Sequence, residues 1–232
     1  LQQGEAEAAF TMSDVTYDAY ADSSRQLRGI AVVYTTTLHL VVRPEAVRSL
    51  ADLEGRRLGI GTPGSGSVFT ARLVLGELGA GNARMEAIPF AEAADRVVTN
   101  RLDGLMISSN FPTSSVSRAL AGGARLFPID GPAVDRLRQE YPFLHPMLIP
   151  ANTYPGQPTA VRTIGIDNLL VCRADLDADL VYAFTRHFME RLPLAAQQFP
   201  SLRLVSPARA ASTPIPLHPG AARYYREREL LR

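Results

Sequence analysis

The stretch RLGIGTPGSGSVFTARLVLGELG, residues 57–79, constrains the chain more than any other. An apolar run ends in a glycine-rich turn. Val68, Ala71, Leu75 and Leu78 then recur at the three- and four-residue spacing of a helix, and Gly79 supplies a stop. The alternation returns downstream, with a strand expected around residues 87–89, a helix over 91–100 and LDGLMIS as a further strand. The polar tail Ser108, Ser109 and Asn110 falls at the carboxyl end of that strand, where ligands lie in open α/β sheets. Repeated βα alternation predicts an α/β fold with a mostly parallel sheet.

Elsewhere the reading is more local. RGIAVVYTTTLHLVVR reads as two short strands, AVVY and LHLVV, around a polar turn at Thr35, Thr36 and Thr37, and SLADLEG as a helical turn ending at Gly55. The proline-rich stretches 142–158 and 207–219 read as ordered irregular connections. The opening LQQGEAEAAF reads as starting inside a helix, as if an upstream portion were missing. No internal repeat and no long low-complexity tract is present.

The glycine turn resembles a phosphate cradle, since Gly61 and Gly66 have the P-loop spacing, but Ser67 and Val68 stand where lysine and a hydroxyl residue are required. The turn therefore does not match a triphosphatase loop. What remains is a helix start whose unpaired N–H groups and dipole favour an anion, or a glycine turn with Ser65 or Ser67 serving only as a cap. All 24 basic residues are arginine, which rules out lysine Schiff-base chemistry, and a net charge of +1 with no basic block gives no sign of nucleic-acid capture. Cys172, the single cysteine, lies in the apolar run NLLVCRADL and reads as a core residue. No run approaches the roughly 18 apolar residues of a membrane span, and no signal-peptide pattern opens the chain.

Catalytic constellations are wanting. The nucleophile elbow G-x-S-x-G does not occur, and none of the four histidines has metal-ligand spacing, so no catalytic residue, metal or cofactor is assigned. His39 lies in an alternating strand, His145 and His218 precede prolines, and His187 sits in a helical run.

The segments LHLVVR, SLADLEGRRLGIGTPGSGS, LDGLMIS, YPFLHPMLIPANTYPGQ, NLLVCRADLDADLVYAFTRHFME and PIPLHPGAARYYRE, in this order, resemble the TAXI family of TRAP-transporter solute receptors. The pair IPANTYPGQ and PLHPGAARYY is the most specific part. The resemblance implies a two-lobed periplasmic binding protein of type II with its first lobe incomplete. Residues 1–41 and 164–232 would form the first lobe and 42–163 the second, with hinge crossings near LHLVV and IGIDNLLV. It further implies a monomeric periplasmic receptor that captures a small carboxylate, a dicarboxylate or an acidic amino acid, between its lobes. The cargo would pass to TRAP membrane transporter subunits.

On that reading the glycine turn holds a carboxylate through Ser65, Gly66 and Ser67. Ser108 and Asn110 face it from a strand end, or serve only as turn formers before Pro112. Tyr34 and Thr36 reach the cleft from the first crossing, or Tyr34 is a half-buried aromatic. Tyr154 closes over the ligand as a wall, or braces a proline-rich loop. Asn168 contacts ligand at the second crossing, with Asp167 capping a turn. Two other classes stay open: a hydrolase or transferase on an α/β scaffold, and an intracellular ligand-sensing domain of the same fold.

Overall fold

A computed structural model describes residue 1 and residues 3–22, 26–198 and 205–231. The chain divides into two compact units, unit 1 comprising Leu1–Thr35 and Asp167–Arg232, and unit 2 comprising Thr36–Ile166. Two long strands carry the chain from one unit to the other: β2 (Leu27–Val42) and β8 (Val161–Arg173). The threonine run does not turn. Thr35, Thr36 and Thr37 lie inside β2, because β-branched residues suit a pleated strand and this segment finds partners on neighbouring strands.

In unit 1, β1 (Ala8–Met12) pairs antiparallel with β8, Ala8 opposite Cys172 and Met12 opposite Asn168. Residues 3–5 form a turn and bend ahead of β1, not the interior of a helix. Helix α1 (Ser13–Asp22) follows β1, and the long α6 (Ala178–Gln198), the short α7 (Pro207–Ala210) and α8 (Pro219–Glu227) complete the unit. The apolar run NLLVC is explained by burial on both faces of β8. Leu170 and Cys172 join Val181, Met189 and Leu192 of α6 and Tyr224 and Tyr225 of α8, while Leu169 and Val171 meet Leu27, Val32 and Ile215. Residues alternate sides along a strand, so a strand covered on both sides has no polar alternation to show.

The contact between α6 and α8 depends on Gly220, where a Cβ would run into the carbonyl oxygen of Ala178. His218 caps α8: its Nδ1 accepts from Gly220 N at 3.2 Å and its Nε2 donates to the Leu176 carbonyl at 3.1 Å. Desolvation is the main cause holding the imidazole below its ordinary pKa, which suits the neutral form this cap requires. PLHPGAARYY is therefore a packing motif.

Unit 2 holds β3 (Arg57–Gly59), β4 (Arg84–Glu86), β5 (Gly104–Ser109), β6 (Arg125–Phe127) and β7 (Leu144–Ile149). Its helices are α2 (Gly66–Leu75), α3 (Phe90–Val98), α4 (Ser114–Ala121) and α5 (Pro132–Glu140). Strand β3 runs parallel to β4 and β5, whereas β2 pairs antiparallel with β5 and β6, and β7 with β8. The sheet is thus mixed, not mostly parallel. Alternating βα patterns do not encode strand direction, and the long β2 and β8 reverse it. The core gathers Val41, Leu105, Ile107 and Leu126 from strands with Ala93, Ala94 and Val97 of α3 and Val116 and Ala119 of α4. Burying each large aliphatic side chain contributes about 1.5–3 kcal/mol.

Helix α2 buries Val68, Ala71, Val74 and Leu75, and its last turn widens into a π turn over Gly76–Ala80, where Gly79 takes φ 80°. The strand expected at residues 87–89 is β4, a few residues earlier. The stretch 142–158 contains β7, with Pro146 tolerated because β7 pairs through β8 alone among the described residues. The stretch 207–219 contains α7.

Candidate functional site

The parallel register of β3 and β5 determines where polar groups collect in unit 2. Gly59 lies opposite Leu105, so the loop after β3 and the end of β5 leave the sheet at the same edge. Strand β2 reaches that edge from the other side, with Thr37 opposite Ser109 and Leu38 opposite Ser108. Thr36 is buried there, its Oγ1 2.9 Å from Ser108 Oγ, and it also donates to the Ile166 carbonyl at 3.3 Å. The structure thus joins Thr36 and Ser108, with Asn110 partly exposed just past the strand.

Gly61 turns the chain out of β3 at φ 104°, a conformation side chains rarely adopt, with Phe90 packed 3.0 Å from where its Cβ would stand. Ser65 sits at the N-cap of α2 in an extended conformation (φ −79°, ψ 151°), yet its side chain makes no capping bond. Its Oγ is shut from solvent with no hydrogen-bond partner among the described residues. The first-turn N–H groups of a helix lack intrahelical acceptors, and no acidic residue occupies that turn of α2. Gly66 and Ser67 open the helix and are half-buried. Ser65 thus stands at a helix start with its hydroxyl unpartnered among the described residues, while its carbonyl accepts from Val68 N at 3.1 Å.

Tyr154 is placed differently. It is 2% exposed inside the unit 2 core, which corrects its assignment as a wall over a ligand, since the ring has no open face. The Thr37 carbonyl lies 3.0 Å from His39 Nδ1, which fixes the proton on that nitrogen, so the Tyr154 hydroxyl donates to Nε2 at 2.9 Å and accepts from Thr113 N at 3.1 Å. Burial lowers the His39 pKa to about 4, against the opposing pull of the backbone hydrogen bonds, and pushes Tyr154 up to about 12. Gln157 ties the same loop, accepting from Tyr154 N and donating to the carbonyls of Pro150 and Thr159. IPANTYPGQ is a brace.

In unit 1, Asn168 donates to the Tyr34 carbonyl at 3.4 Å, and Tyr34 packs half-buried against the α6–α8 core. Asp167 lies in β8. Its nearly buried carboxylate takes Arg209 NH2 on both oxygens, at 3.2 and 3.1 Å, and the Thr35 hydroxyl at 2.6 Å. Arg209 escapes a sequence reading because its partner lies 42 residues away and α7 is hidden in a proline-rich stretch. Among the described residues, no group of three His, Cys, Asp or Glu side chains could hold a metal ion, and no helix is long and apolar enough to cross a membrane.

The NMT1-like family pattern matches residues 1–228. The chain belongs to the NMT1-like family. Its α/β fold is shared with solved structures at TM-scores above 0.5. Among solved structures, XAC2383 from Xanthomonas citri bound to ATP is similar at a TM-score of 0.58 and 12% identity, covering 98% of the NMT1-like chain and 78% of that one. Protein AF1704 from Archaeoglobus fulgidus is similar at 0.53 and 14%, covering 87% and 62%. An ancestral arginine-binding protein bound to arginine matches at 0.47 and 14%, covering 82% and 68%. The NMT1-like chain therefore spans about three fifths of the length of AF1704 (62%).

Proposed function

We propose that the chain is the solute-binding receptor of a transporter, holding a small carboxylate at the corner formed by Gly61, Ser65, Gly66 and Ser67 with Thr36, Ser108 and Asn110. The observation that carries this is the buried Ser65 hydroxyl left without a partner at the start of α2. A carboxylate supplies the acceptor both for that hydroxyl and for the first-turn N–H groups, and the helix dipole favours its charge. A phosphate is less well served, because no lysine exists to meet its outer oxygens.

Membership of the NMT1-like family supports the receptor reading, and the ordered TAXI-like motifs support its finer form: an extracytoplasmic receptor for a dicarboxylate or acidic amino acid that delivers its cargo to TRAP membrane subunits. On this reading the ligand is bound and released unchanged.

A thermal-shift screen of glutamate, glutamine, 2-oxoglutarate, succinate, neutral amino acids and ATP, the ligand in the XAC2383 structure, tests this. A ligand at about 100 times its dissociation constant stabilises the native state by roughly 2.7 kcal/mol. Dicarboxylates or acidic amino acids are expected to give that shift and to be recovered unchanged by mass spectrometry. A shift from ATP alone, or a ligand consumed in the assay, contradicts the reading.

A further inference from the structure

We propose that unit 2 carries a second ligand site, between α5 and the β7–β8 pair, for a monoanion with an apolar body such as a medium-chain carboxylate. Helix α5 packs against β7, and the junction forms an open groove of about 510 Å³. Two guanidinium groups line it. Arg162, on β8, is exposed and has no side-chain hydrogen bond or ion pair among the described residues. Arg138, on α5, has its Nε shut from solvent without a hydrogen-bond partner, while its NH1 contacts Asp135 at 3.3 Å. The rest of the Arg138 guanidinium stays partly exposed, and a carboxylate matches the guanidinium fork.

The acidic groups at the groove do not fill that role. Asp135 bonds NH1 and leaves Nε unserved, and Asp130 stands just ahead of α5, where a negative charge interacts favourably with the helix start. The remaining lining supplies the apolar half of the ligand. Val134 is buried and Met147 half-buried, but Leu148 projects from β7 with 51% of its surface exposed. An aliphatic chain laid over Leu148, which stands opposite Arg162 in the β7–β8 register, removes that surface from water while its head group meets Arg162 and Arg138. This site shares no residue with the glycine corner, so the two stand or fall separately.

Calorimetric titration of the whole chain with octanoate tests the site. The wild-type protein is expected to bind octanoate saturably; Arg162→Gln weakens that binding about tenfold or more, since a charge-paired donor is lost, and Leu148→Ser weakens it severalfold. Inorganic phosphate should not compete, and Ser67→Asp at the glycine corner should leave octanoate affinity unchanged. Absence of saturable binding, unchanged affinity in a folded Arg162→Gln variant, or competition by phosphate overturns the proposal. Loss of octanoate binding in Ser67→Asp overturns it too, because octanoate would then occupy the glycine corner.

Discussion

The His39–Tyr154 cluster and the Ser65–Ser67 corner belong to the same unit, yet their polar atoms are treated in opposite ways. Both nitrogens of His39, the Tyr154 hydroxyl and the Gln157 amide are engaged by groups the chain provides. At the corner, a buried serine hydroxyl at a helix start is engaged by nothing among the described residues. Polar clusters closed on themselves fix one structure, since any member removed leaves another unpaired. An open one is stable only if its unmet valence is small, and it gains when a ligand arrives. The contrast separates residues that hold the unit together from residues proposed to serve binding, although a motif-based reading placed Tyr154 and Ser65 in the same site.

The comparison breaks most easily at Tyr154. Tyr154→Ala empties a core position and should cost about 3–5 kcal/mol in chemical denaturation. Binding at the corner should survive wherever the variant stays folded; a variant of wild-type stability would place Tyr154 outside the core.

Acid should act next most strongly. The unfolded His39 imidazole takes up a proton near 6.5, whereas the folded one resists until about 4. The folded state binds fewer protons in that range, so stability is full above pH 6.5 and is lost as pH falls through the window from 6.5 to about 4. The His39 contribution to that loss is on the order of 3 kcal/mol. His39→Gln should flatten the profile in this window, and an unaltered slope would count against the buried neutral imidazole.

Tyr154→Phe is milder. It keeps the ring but strands His39 Nε2 and Thr113 N, at a cost of about 1–3 kcal/mol measured by urea unfolding. The smallest stability effect belongs to the open corner. Ser65→Ala removes a hydroxyl that bonds nothing among the described residues, so stability should change by no more than about 0.5 kcal/mol, against the ~1 kcal/mol usual for losing a cap serine. Carboxylate affinity should nevertheless fall. A full capping penalty in the same urea titration would mean the hydroxyl does cap α2.

Several of these features were legible in the sequence. The β3–loop–α2 unit followed from the spacing of Val68, Ala71 and Leu75, all buried, because helical periodicity and glycine turns are local properties. Cys172 likewise declared itself a core residue, and it is fully buried. What failed was whatever depends on distant partners. Thr35, Thr36 and Thr37 looked like a turn because three polar residues interrupt two apolar runs, whereas they lie within β2, between β8 and β5, with Thr37 opposite Ser109. Pro146 looked like loop chemistry, which an edge strand tolerates. The corner could be proposed from its glycines and serines, but the unbonded state of Ser65 Oγ required coordinates. The Asp167–Arg209 pair left no local trace at all.

The central claim, a carboxylate held at the start of α2, is tested most directly by calorimetric titration of Ser67→Asp with whichever dicarboxylate or acidic amino acid stabilises the wild-type protein. Aspartate is an acceptable residue at a helix start, so the fold should persist while its charge repels a carboxylate sharing the same donors. The account predicts a folded variant whose affinity falls by about tenfold or more. A folded variant with wild-type affinity would contradict it and leave the glycine turn with the helix alone to serve.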